Sequence, residues 1–210
     1  MSAILNAMKS LSLTTPRAIF VVGIPGAGKT FFAEKFAETF NAPYIDVEKI
    51  RRTVFSSPTY DKNEQQAIDE LALSYLTELL KTKKTLLFEG GTEARVDRMN
   101  LSKLVKTHGY EPLFVWVQTE PATANSRATR GVRGQDASKV ISQERYESLA
   151  AKFTPLNRTE DFVVISGKHT YATQARAVLK RLAEPRIEAE KEVPVRSVRQ
   201  ASRPGSIKIF

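Results

Sequence analysis

The strongest chemical signal in the chain is the run Gly23-Ile24-Pro25-Gly26-Ala27-Gly28-Lys29-Thr30. Its spacing, G-x-x-x-x-G-K-[ST], is that of a loop that wraps phosphate. The glycines let successive backbone N–H groups turn toward one anion. A helix opening directly after the loop adds the positive end of its dipole at the same place. Lys29 brings a mobile charge for β- and γ-phosphates, and Thr30 brings a hydroxyl for Mg²⁺.

Three further groups have residue types suited to phosphate chemistry. Asp46, Glu48 and Arg51 follow a short apolar segment. A carboxylate there could take the proton of a substrate hydroxyl as it attacks phosphorus. Glu48 and Arg51 are three apart and share a helix face, so Arg51 could hold a substrate beside the base. The plainer alternative makes Asp46 a helix N-cap and Glu48–Arg51 a surface ion pair. Glu89, followed by Gly90, Gly91 and Thr92, could orient a Mg²⁺-bound water or simply accept turn amides. Arg127, Arg130 and Arg133 lie in a glycine-punctuated stretch without an acid. They could close over a triphosphate and stabilise charge on its γ-oxygens, or form a basic surface loop.

The elements that must position these groups follow from hydrophobic periodicity. Apolar runs at 18–22, 44–47, 85–89, 113–117 and 161–165 read as strands. Phe32, Phe36 and Phe40 recur every fourth residue in a helix over 31–40. A long helix is expected over 63–81, with Ile68, Leu71, Ala72, Tyr75, Leu76 and Leu79 as its apolar stripe. Shorter helices are expected over 48–55, 98–107, 121–130, 142–153 and 171–183. This alternation predicts an α/β fold, a doubly wound parallel five-stranded sheet with helices on both faces. In such sheets the loops at the carboxyl ends of the strands surround the ligand, which would gather all four groups.

The 210 residues suit one domain over 17–183, an N-terminal extension over 1–16 and a flexible basic tail over 184–210. From Val193 onward the tail has basic residues and no acid. No run approaches the ~18 apolar residues of a membrane span, so no membrane partner is expected. The absence of cysteine excludes disulfides and thiolate metal sites and suits a reducing cytoplasm. A net charge of +9 points to anionic partners, nucleoside triphosphate first and nucleic acid second.

Together these residues resemble a known group. The phosphate loop is followed by Glu48-x-x-Arg51, Pro58-Thr59-Tyr60 with Glu64, a long helix and Glu89. Arg127-x-x-Arg130 and a final strand ending Ser166-Gly167 complete the pattern. The order resembles the AAA-type predicted kinase family of P-loop NTPases. It is similar to the polynucleotide kinase 5′-hydroxyl kinase domain and more distantly to zeta-toxin kinases. The resemblance covers about residues 17 to 183. It implies a nucleoside-kinase-like P-loop core with strand order 2-3-1-4-5 and transfer of the γ-phosphate of ATP, with Mg²⁺, to a hydroxyl. The acceptor would be a polynucleotide end, a nucleotide sugar or a small metabolite. Lys29 would act on the phosphates, Glu48 or Asp46 as base, Arg51 on the substrate, and Arg127 and Arg130 on the transition state. The family usually has Asp where Glu48 stands, which leaves both acids as candidates. A nucleotide-dependent ATPase or switch acting on nucleic acid or a protein partner is the alternative.

Overall fold

The apolar run before the glycine loop forms the central strand β1 (Arg17–Val22), and the loop opens directly into α1 (Lys29–Phe40). The computed structural model describes residues 15–131 and 140–183. The 184–210 tail, Arg133 and residues 1–14 of the expected extension lie outside the described residues. After α1 come β2 (Tyr44–Asp46), α2 (Val47–Val54), α3 (Lys62–Lys81) and β3 (Leu86–Glu89). Then follow α4 (Arg95–Thr107), β4 (Glu111–Gln118), α5 (Pro121–Arg130), α6 (Gln143–Lys152), β5 (Phe162–Ser166) and α7 (Tyr171–Ala183). The sheet is entirely parallel, in the order β2-β3-β1-β4-β5.

Strand residues alternate between the two faces, and so do the two cores. Phe20, Phe88 and Phe114 stand in register across β1, β3 and β4. Phe20 lies 5.8 Å from Phe88 and 5.2 Å from Phe114, ring centre to ring centre. Ile68 and Leu76 of α3 and Leu101 and Val105 of α4 cover this face. Ile19, Val21, Leu87 and Val115 point the other way, under Phe32 and Phe36 of α1 and Val178 of α7. Each fully buried side chain of this size contributes about 1.5–3 kcal/mol. Among the described residues no helix is long and apolar enough to cross a membrane.

Two local expectations shift. The buried stripe of α3 runs Ile68, Ala72, Leu76, Leu80, which leaves Tyr75 49% exposed rather than in the core. Strand β4 starts at Glu111, so it contains Pro112. Pro112 has no N–H to donate. It is tolerated because pairing with β5 begins only at Phe114, leaving Pro112 paired on the β1 side alone.

One charge lies wholly inside. Arg98 of α4 is 0% exposed, and its guanidinium donates to both carboxylate oxygens of Glu160 and to the carbonyls of Thr92 and Glu93. It ties the turn after β3 to the approach to β5. Arg98→Ala would strand Glu160 without its counter-charge, at a cost of about 3–5 kcal/mol. For a chain of this size that lowers the melting temperature by roughly 6–20 °C. Thermal unfolding followed by circular dichroism checks this, and a drop of only a degree or two would contradict it.

Candidate active site

The glycine loop is clamped from the side. Gly26 has φ 74°, and a Cβ there would lie 2.0 Å from the Ala124 carbonyl of α5. A Cβ on Gly167, just past β5, would lie 1.9 Å from the Ala27 carbonyl. That same carbonyl accepts the Thr119 hydroxyl at 2.9 Å. Backbone thus packs on backbone, and only glycine fits at these two positions. Helix α1 opens from Gly28 with no side-chain cap and no acid in its first turn, so its leading N–H groups suit an anion. The Lys29 ammonium lies along the loop, donating to the carbonyls of Gly23 at 2.9 Å and Ile24 at 3.2 Å.

Glu89, at the carboxyl end of β3, meets the loop. Its Oε1 accepts the Thr30 hydroxyl at 2.8 Å and its Oε2 accepts the Tyr44 hydroxyl at 2.6 Å. Burial pushes the Glu89 carboxyl above the usual range, Lys29 pulls it back, and Asp46, in register with it on β2, pushes it up again. Burial, with Glu89 beside it, likewise raises the Tyr44 phenol, so Tyr44 remains a donor. Asp46 caps α2: its Oδ1 accepts the N–H groups of Glu48 and Lys49, each at 3.0 Å.

Glu48 is the accessible acid, with 40% of its side chain exposed. Its Oε1 accepts the Tyr60 hydroxyl at 2.7 Å, and its Oε2 lies 3.3 Å from Arg51 Nε. Arg51 itself is 3% exposed. Its guanidinium turns inward, donating to Glu64 and to Gln65 of α3, rather than outward toward a substrate. Burial alone would raise the Glu64 carboxyl, but Arg51 and the N–H groups of Thr59 and Tyr60 hold it down to about 2. Tyr60 has φ 59°, a strained conformation for an aromatic residue. Its N–H donates to Glu64 at 3.0 Å, and the Arg145 guanidinium of α6 sits 3.3 Å above its ring.

On the other side of the loop, Arg127 of α5 donates to the Gly167 carbonyl at 3.2 Å. Arg130 is exposed at the end of the same helix, three residues on and so on a shared face. Lys29, Thr30, Asp46, Glu48 and Glu89 therefore stand on the carboxyl side of β1, β2 and β3, with Arg127 and Arg130 across the loop.

The loop fits a triphosphate by its glycine cradle and its uncapped helix start. A Mg²⁺ ion fits the adjoining Thr30 hydroxyl and Glu89 carboxylate. Among the described residues no cluster of three or more His, Asp or Glu forms a protein cage for a metal. Sequence reasoning missed Tyr44, Thr119 and Arg145. Nothing local marks them, since each acts on a residue brought near only by folding.

The family model described as AAA domain matches residues 19–156. Among curated proteins the chain finds no match. Among solved structures it is similar to the APS kinase of Mycobacterium tuberculosis in complex with AMPPNP and APS. There the TM-score is 0.59 at 14% identity, over 81% of this chain and 99% of that one. It is similar to a sugar kinase from Janibacter sp. HTCC2649, with TM-score 0.58 at 13% identity over 80% and 94%. A gluconokinase from Sinorhizobium meliloti 1021 gives 0.57 at 18% over 80% and 93%. At these identities the likeness establishes the fold, a P-loop α/β core.

Glu64 gives the corner between α2 and α3 a pH signature. Its folded pKa of about 2 lies below the ordinary 4.5, so its stabilising effect is complete above the ordinary value. It is lost as the pH falls toward 2. Glu64→Gln should melt below the wild type at neutral pH, with the gap closing between 4.5 and 2. Melting curves across that range check this, and a constant gap would contradict it.

Proposed function

This chain belongs to the AAA domain family, and on that footing we propose that it transfers the γ-phosphate of ATP to the hydroxyl of an acceptor. The acceptor classes raised by the sequence are a polynucleotide end, a nucleotide sugar and a small metabolite. The observation that carries this reading is the meeting of Thr30 and Glu89 at 2.8 Å beside the Lys29 loop, with the accessible Glu48 on the neighbouring α2. Lys29 and the loop N–H groups would bind the β- and γ-phosphates. Thr30 and Glu89 would hold Mg²⁺, which when bound neutralises charge on the phosphate oxygens.

In the step itself the acceptor hydroxyl gives its proton to Glu48. Its oxygen attacks the γ-phosphorus, the bond to the β,γ-bridging oxygen breaks, and ADP leaves with that electron pair. Arg127 and Arg130 would donate to the γ-oxygens as charge develops there. Arg51 would act as a positioning residue, holding Glu48 and the α2–α3 corner. Exposure supports Glu48 over Asp46 as base, because Asp46 is buried and already caps α2.

Transfer from labelled ATP to DNA ends, RNA ends, nucleotide sugars, nucleosides and polyols tests the activity. Phosphorylated product should appear in step with ADP, whereas ADP without product would favour an ATPase or switch. Lys29→Ala should abolish turnover while the protein stays folded. Glu48→Gln should lower kcat by about 10²–10⁴ with little change in ATP affinity, and Asp46→Asn should act mainly on stability as a lost cap. The reverse order would make Asp46 the base. Arg127→Ala and Arg130→Ala should lower kcat far more than they weaken nucleotide binding. Single-turnover rates beside nucleotide Kd values decide among these, and losses in Kd alone would refute a catalytic role for the arginines.

A further inference from the structure

A cavity of about 520 Å³ opens between the carboxyl ends of β4 and β5, with Ile24 of the phosphate loop on its wall. Its floor is apolar: Trp116 of β4, Val164 of β5 and Phe153, the residue after α6. Trp116 is packed by Phe153 at 5.9 Å and Phe162 at 6.2 Å, so its ring is held in place. Val164 is 44% exposed although it lies in the sheet. The rim is polar. Gln118 offers an amide donor and acceptor, and Ser166 a hydroxyl. Glu120 and Lys168 pair at 3.1 Å beside them.

Ile24, Val117 and Ile165 of the lining belong to the core under α1, but the apolar floor lies on the other face of the sheet, the one that carries Glu48. Trp116 and Phe162 pack on the core covered by α3 and α4, and Val164 shares their parity on β5. The α2–α3 corner that presents Glu48 packs on that same core through Val47, Ile50 and Ile68. Helix α1, which continues the phosphate loop, packs on the opposite core. Helix α6 spans the interval: Arg145 near its start rests on Tyr60, the partner of Glu48, and Phe153 past its end lines the cavity. Eight residues of helix are about 12 Å, the scale of a nucleoside with its sugar hydroxyl.

We propose that this cavity binds the base of a nucleoside or nucleotide acceptor, placing its sugar hydroxyl toward Glu48 and the loop. The volume lies within the range of small-molecule sites and suits one ring system with its sugar. A rigid aromatic floor offers a face for stacking, and an amide and a hydroxyl at the rim can read the ring edge. An open-chain polyol would leave the apolar floor uncovered. The assignment to an acceptor rests on the phosphotransferase reading, whereas ring binding itself does not.

Trp116 is the single tryptophan of the chain, so its fluorescence reports directly on this cavity. Adenosine, guanosine, cytidine and uridine, titrated singly, should include at least one that quenches it saturably, while ribose and gluconate do not. Quenching should persist in saturating Mg²⁺–AMPPNP. Phe153→Ala and Gln118→Ala should each raise the nucleoside Kd about tenfold or more, with AMPPNP affinity within about twofold of wild type by calorimetry. Absence of quenching by all four nucleosides overturns the proposal. So does quenching that Mg²⁺–AMPPNP produces alone and that nucleoside no longer extends, which would give the cavity to the base of the donor. Unchanged nucleoside affinity in both variants overturns it as well. Phosphate transfer to another hydroxyl acceptor in those cases would leave the phosphotransferase reading standing.

Discussion

The site depends on one close approach of backbone to backbone. The Ala27 carbonyl accepts the Thr119 hydroxyl and has the Gly167 Cα against it, while Gly26 lies on the Ala124 carbonyl of α5. These contacts leave no room for side chains, so the path of the loop is set by packing as well as by its own turn preferences. The ends of β4 and β5 are joined in turn by the Gly167 N–H donating to the Gln118 carbonyl at 2.8 Å. The phosphate loop is therefore held in place by packing from α5 and from the turn after β5, and holding a loop in its binding shape lowers the ordering cost of taking an anion.

Around that fixed loop the protein arranges charge by burying it with partners. Glu89 is an acid in a dry place, held by two hydroxyl donors and by the field of Lys29. Arg51 and Glu64 form a buried pair joining α2 to α3; Gln65 accepts a second hydrogen bond from Arg51, and the Thr59 N–H donates to Glu64. A buried pair of this kind adds little net stability over an apolar packing, but its loss on one side is costly. Its effect here is geometric. It fixes the loop in which Tyr60 adopts its strained backbone, and Tyr60 fixes Glu48. Arg145 on the Tyr60 ring then connects this acid to α6. The path from Arg51 to Glu48 thus runs both directly and through Glu64 and Tyr60.

The cavity beside Ile24 follows from the same arrangement of layers. Because β5 is the outer strand, Val164 is covered less completely than the core strands. Phe153 shelters one side of Trp116, which leaves an aromatic surface open next to a phosphate loop. The two charged residues at its rim are each half exposed and pair with one another, so the apolar floor is reached through a polar mouth.

The sequence by itself determined what depends on neighbours in the chain. The glycine pattern and Lys29-Thr30 specify the phosphate loop because backbone freedom is local. Short apolar runs specify five strands and the 3.6 period the helices between them, and a parallel sheet then follows from their alternation. The family pattern supplied the strand order that the structure shows. Some local signals had two readings, and only the tertiary structure shows the surroundings in which each residue sits. Asp46 and Glu48 were both candidate acids; folding buries Asp46 at the cap of α2, while Glu48 two residues later stays open. Arg51 could face outward or inward, and the packing of α3 against α2 turns it inward. Other features had no local signal at all. Thr30 meets Glu89 across 59 residues, and Tyr44 meets it across 45. Such contacts exist only once strands lie side by side, because hydrogen bonds and desolvation act over a few ångströms in space and take no account of distance along the chain.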